Sequence, residues 1–392
     1  MSETMSNETS GSENSGTGTA TSRQTALYTE HEKLGAFFTD FGGWQMPLKY
    51  KSELAEHKAV RETAGLFDLS HMGEVRVSGP QAAEFLDYAL AGKLSAVKVG
   101  RAKYSLLCNE DGGIIDDLIT YRRGDNDYLV VPNAGNAPAV AAALAERSAQ
   151  FDVEVEDQSA ETSLIAVQGP ESEGILLKLI DSSQHADVTG LKYYAATDVT
   201  INTDGGPLDV LLARTGYTGE DGFELYLPNA QAAQLWTALL ETGTDAGLTP
   251  AGLASRDSLR LEAGMPLYGN ELSLETSPYT AGLGPVVALS KEGDFVGRSA
   301  LEAQKEQGTS RKLVGLTAQG RRAARSHYPV SVDGEVVGEV TSGAPSPTLG
   351  HPIAMAYVDV AHSEPGTTVE VDLRGKPEKF DVVKLPFYKR SN

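Results

Sequence analysis

Val75-Arg76-Val77-Ser78-Gly79-Pro80 and Leu164-Ile165-Ala166-Val167-Gln168-Gly169-Pro170 carry one message twice: a short β-branched run that enters a Gly-Pro turn. After each turn comes an amphipathic stretch, the first reaching Leu90. Each copy then closes on a second shared signal. Tyr128-Leu129-Val130-Val131 leads into Pro132-Asn133-Ala134 and a helix from about Ala137 to Gln150. Glu224-Leu225-Tyr226-Leu227 leads into Pro228-Asn229-Ala230 and a helix to about Glu241. A fixed order of signals met twice marks an internal repeat. The spacing predicts Pro one or two places into each helix, where its missing N–H costs least. With strand-like segments between the landmarks, the chain reads as two βαββαβ-like α+β units, about 55–155 and about 156–250.

Outward from this pair, the texture changes after residue 310. Leu313–Thr317, Val330–Val332, Val336–Val340, Ala354–Val360, Val369–Leu373 and Val382–Leu385 read as short strands, with Asp333-Gly334 suited to a type I′ hairpin. Residues 310–392 are therefore expected to form a small β-barrel. At the other end, residues 1–24 are nearly all Ser, Thr, Gly, Asn and Glu, a composition expected to stay disordered, with no recognisable export or organelle signal. Residues 25–54 and 251–309 complete the region that holds the repeats.

The composition excludes several functions. The chain has 33 Lys plus Arg against 54 Asp plus Glu, a formal charge of −21, so general nucleic-acid binding is disfavoured. No apolar run reaches the length of a membrane span. The single Cys108 rules out an internal disulfide framework and a Cys-based zinc site. The seven histidines are scattered, and no GxSxG, HExxH, Walker A or EF-hand pattern occurs, so no metal site is expected. A soluble, intracellular, multi-domain protein is the expectation. Acidity spread along the whole chain fits life in high salt, where the Debye length shrinks to about 3 Å.

Three stretches carry chemistry. In Gly112-Gly113-Ile114-Ile115-Asp116-Asp117-Leu118-Ile119-Thr120-Tyr121 two acids interrupt an apolar strand. Alternation puts Asp117 with Ile115, Ile119 and Tyr121, and Asp116 with Ile114, Leu118 and Thr120. An acid on the apolar face loses hydration, which raises its pKa or demands a partner; an edge strand with one solvated acid fits as well. Arg214-Thr215-Gly216-Tyr217-Thr218-Gly219-Glu220-Asp221-Gly222-Phe223-Glu224 reads as a hairpin turn or as a close backbone approach to a ligand, with Glu224 an acceptor for a flat heterocycle. In the helix around Ser255-Arg256-Asp257-Ser258-Leu259-Arg260, the two arginines share a face, either as exposed ion pairs or as a fork for a carboxylate. His71 fits a general base or a hydrogen-bonded structural residue, and Cys108 a small core hydrophobe.

These stretches, together with Asp40–Leu48, Gly65–Gly73 and Thr341–Gly350, occur in an order that resembles the aminomethyltransferase (T-protein) family of the glycine cleavage system. The resemblance runs from about 25 to 390. It implies a three-domain cloverleaf, with the two repeats around a central tetrahydrofolate channel and a C-terminal β-barrel. It also implies the reaction: the one-carbon unit of an aminomethyl group on the lipoyl arm of the carrier H-protein passes to tetrahydrofolate. Ammonia and 5,10-methylenetetrahydrofolate are the products, with the P- and L-proteins as further partners. By the same resemblance Asp117 is the catalytic carboxylate, Glu224 binds the pterin and Arg256 helps hold the folate. Met72, Tyr104, Tyr121, Tyr193, Tyr194 and Tyr217 line or lie near the channel. Pro285 departs from the family, where Trp is common. Folate-dependent demethylases share this fold, and non-enzymatic iron–sulfur maintenance factors form a different functional class; the latter are marked by a Lys-Gly-Cys-Tyr-type block where this chain has Arg214-Thr215-Gly216-Tyr217. Arg321, Arg322 and Arg325 form the densest basic cluster, either a contact for an acidic carrier protein or a solvated turn.

Overall fold

The computed structural model describes residues 22–390. The expected disordered tail falls mostly outside them, but its last part does not. Arg23 exchanges backbone hydrogen bonds with Gly43 and Gln45, and its guanidinium lies 4.4 Å from the Trp44 ring centroid. Cation–π contact and backbone pairing hold what composition alone assigns to solvent.

The chain opens with α1 (Tyr28–Lys33), the hairpin β1 (Phe37–Phe41) and β2 (Trp44–Lys49), α2 (Glu53–Glu62) and β3 (Ala64–Asp68). The first unit is β4 (Val75–Ser78), α3 (Ala82–Ala89), β5 (Arg101–Cys108), β6 (Ile114–Gly124), β7 (Asp127–Val131), α4 (Ala137–Arg147) and β8 (Glu154–Asp157). The second is β9 (Thr162–Gln168), α5 (Ser172–Leu177), α6 (His185–Thr189), β10 (Ala196–Thr203), β11 (Gly206–Ala213), β12 (Gly222–Pro228), α7 (Ala232–Gly243) and β13 (Leu248–Pro250). Both follow the expected repeat, each extended by one strand to βαβββαβ.

The first sheet has the order β5-β6-β7-β4-β8, the second β10-β11-β12-β9-β3-β13. Strand β3 precedes the first unit in sequence yet sits inside the second unit's sheet, antiparallel to β9 and parallel to β13. All five of its residues are buried, as a strand covered on both faces must be.

The Gly-Pro turns superpose in detail. Gly79 and Gly169 have φ of 134° and 131°, a region that favours glycine, and their carbonyls accept from Ala82 and Ser172 at 3.1 Å in both cases. A Cβ would meet the Asp152 carbonyl at 2.6 Å in one and the Thr63 carbonyl at 2.5 Å in the other. Pro80 and Pro170 occupy the second position of these turns, two residues ahead of the helices rather than inside them, because a β-turn uses proline's fixed φ there.

Helices cover the outer face of each sheet. Val75, Val77, Phe85, Leu86, Tyr128 and Val140 form one core, and Ile165, Val167, Phe223, Leu225, Leu235 and Trp236 the other. The inner faces meet each other through Tyr121, Leu129, Val131, Leu164, Leu211 and Tyr226. After α8 (Leu253–Glu262) and α9 (Arg298–Gln307) the chain closes a six-stranded barrel. Its strands are β14 (Arg311–Ala318), β15 (Pro329–Val332), β16 (Glu335–Pro345), β17 (Pro352–Asp359), β18 (Thr368–Asp372) and β19 (Pro377–Val383), in the order β14-β17-β16-β15-β18-β19. Asp333 and Gly334 both adopt positive φ, as the hairpin requires. No helix among the described residues is long and apolar enough to cross a membrane.

Candidate functional site

A cavity of about 500 Å³ opens between the inner faces of the two sheets and under the segment that follows α8. Each unit contributes an acid to it: Asp117 from β6 and Glu224 from β12. The β1–β2 hairpin adds Phe41 and Gly42; the segment after α8 adds Met265, Pro266, Leu267 and Tyr268.

Asp117 is held from two sides. Its Oδ2 accepts from the Tyr104 hydroxyl at 2.9 Å and its Oδ1 from Asn133 Nδ2 at 2.9 Å. Burial pushes its pKa up to about 6 against the lowering effect of those two hydrogen bonds. Asp116 is fully buried behind it and accepts from Asn133 N, Asn133 Nδ2 and Asn136 Nδ2 at 2.9, 2.8 and 2.7 Å. Burial, with the neighbouring Asp117 charge, raises it to about 7. Asn133 therefore clamps both acids. Sequence reading passed it over as one member of the repeated Pro-Asn-Ala signal. Its fixing role depends on a loop that closes onto β6, which no local pattern reports.

One local expectation fails. Leu107 opposes Asp116 while Cys108 opposes Ile114, so Ile115 is the extra residue of a bulge. It packs toward the helix-side core instead of sharing Asp117's face. Ile119 and Tyr121 keep the expected face.

Glu224 is 8% exposed, and its Oε2 accepts from the Thr215 hydroxyl and from Tyr121 at 3.3 Å. Its Oε1 makes no hydrogen bond among the described residues. Burial raises its pKa, opposed by the Thr215 hydrogen bond and by Arg256. Arg256 stacks on Tyr217, 4.7 Å from guanidinium carbon to ring centroid, and the Tyr217 hydroxyl donates to the Pro266 carbonyl. A flat wall and a fixed cation thus stand beside an acceptor carboxylate.

Of the expected residues, Asp117, Glu224, Arg256, Met72, Tyr104, Tyr194 and Tyr217 line the cavity. Tyr121 stands behind Glu224, 1% exposed, as its hydrogen-bond support. Tyr193 lies outside the lining, 45% exposed, with its ring edge-on to Tyr194 at 4.8 Å. The expected arginine fork divides. Arg260 turns away to Asp257, Glu271, Ser342 and the Met265 carbonyl, tying α8 to the barrel. A buried guanidinium needs this many acceptors, and α8 itself, the segment after it and Ser342 of β16 supply them. His71 also lines the cavity. Burial drops its pKa to about 4, so it is neutral at pH 7, and Phe41 covers it edge-on at 5.5 Å. Cys108 is buried and its thiol pushed up to about 12, as suits a core residue. Among the described residues no group of three or more His, Cys, Asp or Glu could hold a metal ion.

Comparison with known proteins gives this arrangement a family. Residues 27–291 match the GCVT N-terminal domain and residues 311–389 the glycine cleavage T-protein C-terminal barrel domain. An aminomethyltransferase of Streptomyces coelicolor is 60% identical over 372 residues, 94% of this chain and 98% of that protein. One from Corynebacterium jeikeium is 57% identical over 387 residues, again covering 94% and 98%. The crystal structure of the glycine cleavage system aminomethyltransferase T from Bartonella henselae aligns with a TM-score of 0.86 at 38% identity, over 94% of this chain and 98% of that one. On these matches the chain belongs to the glycine cleavage T-protein family and is an aminomethyltransferase.

Proposed function

We propose that this enzyme takes the one-carbon unit from an aminomethyl group on the lipoyl arm of the H-protein and delivers it to tetrahydrofolate. Ammonia and 5,10-methylenetetrahydrofolate leave as products. The observation that carries the reading is the meeting, in one cavity, of an open carboxylate oxygen on Glu224 with the clamped Asp117. The cavity fits a pterin. Glu224 Oε1 is free to accept ring N–H donors, Tyr217 and Arg256 offer a stacking wall, and the lining is mostly apolar.

In this reading Glu224 and Arg256 hold and orient the folate, with Tyr121 and Thr215 fixing Glu224. Met72, Tyr194 and Tyr217 shape the channel, and Tyr193 braces Tyr194 from outside. Asp117 works at the reacting nitrogens. As the aminomethyl carbon loses ammonia, it becomes an electron-poor centre that the folate N5 lone pair attacks, N5 giving up its proton. Closure on N10 then breaks the carbon–sulfur bond, and the electron pair stays on sulfur as the dihydrolipoyl thiol. A carboxylate held by Tyr104 and Asn133 stabilises the passing positive charge without having to reorganise. With its pKa near 6, it is ionised at neutral pH and still basic enough to take a proton.

The carrier's contact is assigned to the barrel. Arg321, Arg322 and Arg325 are exposed, and Arg322 and Arg325 share a cleft with Tyr328 and Arg374. The P- and L-proteins would act through the same carrier, in the cytoplasm. The charge of −21 suits strong salt.

Calorimetric titration with tetrahydrofolate in molar salt tests the reading. Saturable binding in the wild type, weakened about tenfold or more in Glu224→Ala, is expected, because the variant leaves pterin donors unpaired. No heat from a demonstrably folded protein overturns it.

A further inference from the structure

Three histidines are buried among the described residues: His31, His57 and His71, at 0%, 1% and 3% exposure. Two of them are fully bonded. His31 Nε2 meets Asp68 Oδ2 at 2.9 Å, and its Nδ1 meets the Tyr50 hydroxyl at 3.0 Å. His57 Nδ1 meets the Ser258 hydroxyl at 2.7 Å, and its Nε2 meets the Thr348 hydroxyl at 3.0 Å. His71 is the exception. Its Nδ1 is buried with no hydrogen-bond partner, and its Nε2 makes no hydrogen bond among the described residues. Backbone and packing hold the ring instead. Met72 N donates to the Leu69 carbonyl at 2.9 Å, and Phe41 lies edge-on to the imidazole at 5.5 Å.

The sequence allows His71 to be a hydrogen-bonded structural residue or a general base, and the structure removes both. A structural histidine is fixed through its ring nitrogens, as His31 and His57 are. A general base must take up a proton near neutral pH. Burial, against the Asp68 charge and with that of Arg256, brings the His71 pKa down to about 4. What remains is an uncharged ring on the wall of the cavity that holds Glu224 and Asp117. With Nδ1 sealed away, Nε2 is the nitrogen a ligand can reach. A sealed N–H without an acceptor is rarer in folded proteins than a sealed lone pair, so the ring proton belongs on Nε2. The Arg256 charge bears on both His71 and Glu224, which groups the three at the ligand-holding end of the cavity.

We propose that His71 is a further binding residue of this cavity, donating one hydrogen bond from Nε2–H to an acceptor atom on the folate ring system. Glu224 takes N–H donors from the ligand and His71 gives one back, so the cavity reads both kinds of polar edge. Phe41, closing over the imidazole, keeps water from standing in for the ligand. A buried polar group left unpaired is a cost that the bound ligand removes. The inference rests on tetrahydrofolate being the ligand of the cavity.

Nitrogen NMR on the full chain with isotope-labelled imidazoles tests it, by titration with tetrahydrofolate in molar salt. The His71 signals are assigned by their loss in His71→Gln. The free protein should show the ring protonated at Nε2 alone. Binding should shift the His71 Nε2 and proton resonances while those of His31 and His57 stay in place. His71→Leu should weaken binding and raise KM about threefold to tenfold, the worth of one hydrogen bond, with kcat within about twofold. His71→Gln, whose amide N–H can donate instead, should recover most of that affinity. His71→Leu should melt no lower than the wild type, because no hydrogen bond within the protein is lost. Binding that leaves the His71 resonances unmoved, or undiminished affinity in His71→Leu, overturns the inference and leaves the folate reading standing. Equal weakening in His71→Leu and His71→Gln with a lowered melt also overturns it, since that marks a structural role. No binding by the wild type overturns the folate reading, and this inference with it.

Discussion

Asp117 of the first unit and Asp209 of the second hold equivalent places in β6 and β11, and each lines a cavity between the two sheets. Their surroundings diverge. Asp117 lies under the Met265–Tyr268 segment, within reach of Tyr104 and Asn133, and burial lifts its pKa to about 6. Asp209 is exposed and accepts one hydrogen bond, from the Thr200 hydroxyl at 2.9 Å. The repeated Pro-Asn-Ala signal diverges too. Asn133 donates to both acids of β6, whereas Asn229 accepts from Ser163 and donates to the Ala160 carbonyl. An aspartate becomes a chemical instrument through what covers and clamps it. Topology supplies the place, and the segment after α8 with the clamping side chains supplies the desolvated setting.

The comparison can be broken most forcefully at Asp117, the proposed catalytic acid. Asp117→Asn should fold normally and lose about 10²–10⁴ in turnover, the range for a lost acid–base or charge-stabilising group. A loss under about threefold, measured in a lipoyl-carrier assay, would reduce Asp117 to the rank of Asp209.

The cover itself is the next point of attack. Glu262 at the end of α8 accepts from Arg61, Ser346 and Thr348 and neighbours His57, fastening the barrel to α2, which packs on β3 and β13. Glu262→Gln should cost about 3 kcal/mol, as expected when one partner of a buried ion pair is removed. The measurement is denaturant unfolding at pH 7. Although burial opposes it, hydrogen bonding and the charge of His57 bring the Glu262 pKa down to about 2. Its stabilisation is therefore present above the ordinary glutamate range and is lost as pH falls through about 2.

The pH profile sharpens the contrast further. In the role proposed for Asp117, protonation removes the charge that steadies the reacting centre, so turnover should fall about tenfold per unit below pH 6. The residual activity of Asp117→Asn should lack that limb. The stability effect has the opposite sign. Folded-state values raised to about 6 and 7 favour folding below about pH 4, and that contribution is lost as pH rises through them. The smallest effect is expected at the exposed twin, where Asp209→Asn should change the unfolding free energy by under about 0.5 kcal/mol.

Local signals read well. Strand alternation puts Glu224 and Tyr226 on one face of β12 and Phe223, Leu225 and Leu227 on the other, and the cores divide along that line. The six barrel strands and the Asp333-Gly334 hairpin were legible for the same reason: a pleat of period two and a positive φ are properties of a few adjacent residues. The bulge at Ile115, the insertion of β3 beside β9 and the turn of Arg260 toward Ser342 were not legible. Each depends on a neighbour far along the chain.

By itself, the sequence determined the two units, their turns, the barrel and the faces of the acids, because strand alternation, glycine's positive φ and proline's fixed φ act over a few residues. Only the tertiary structure decided which of two equivalent aspartates is desolvated, which asparagine clamps it and which cavity receives Glu224. Desolvation and hydrogen-bond closure depend on residues from other units and from the segment after α8, and their register is a property of the assembled fold.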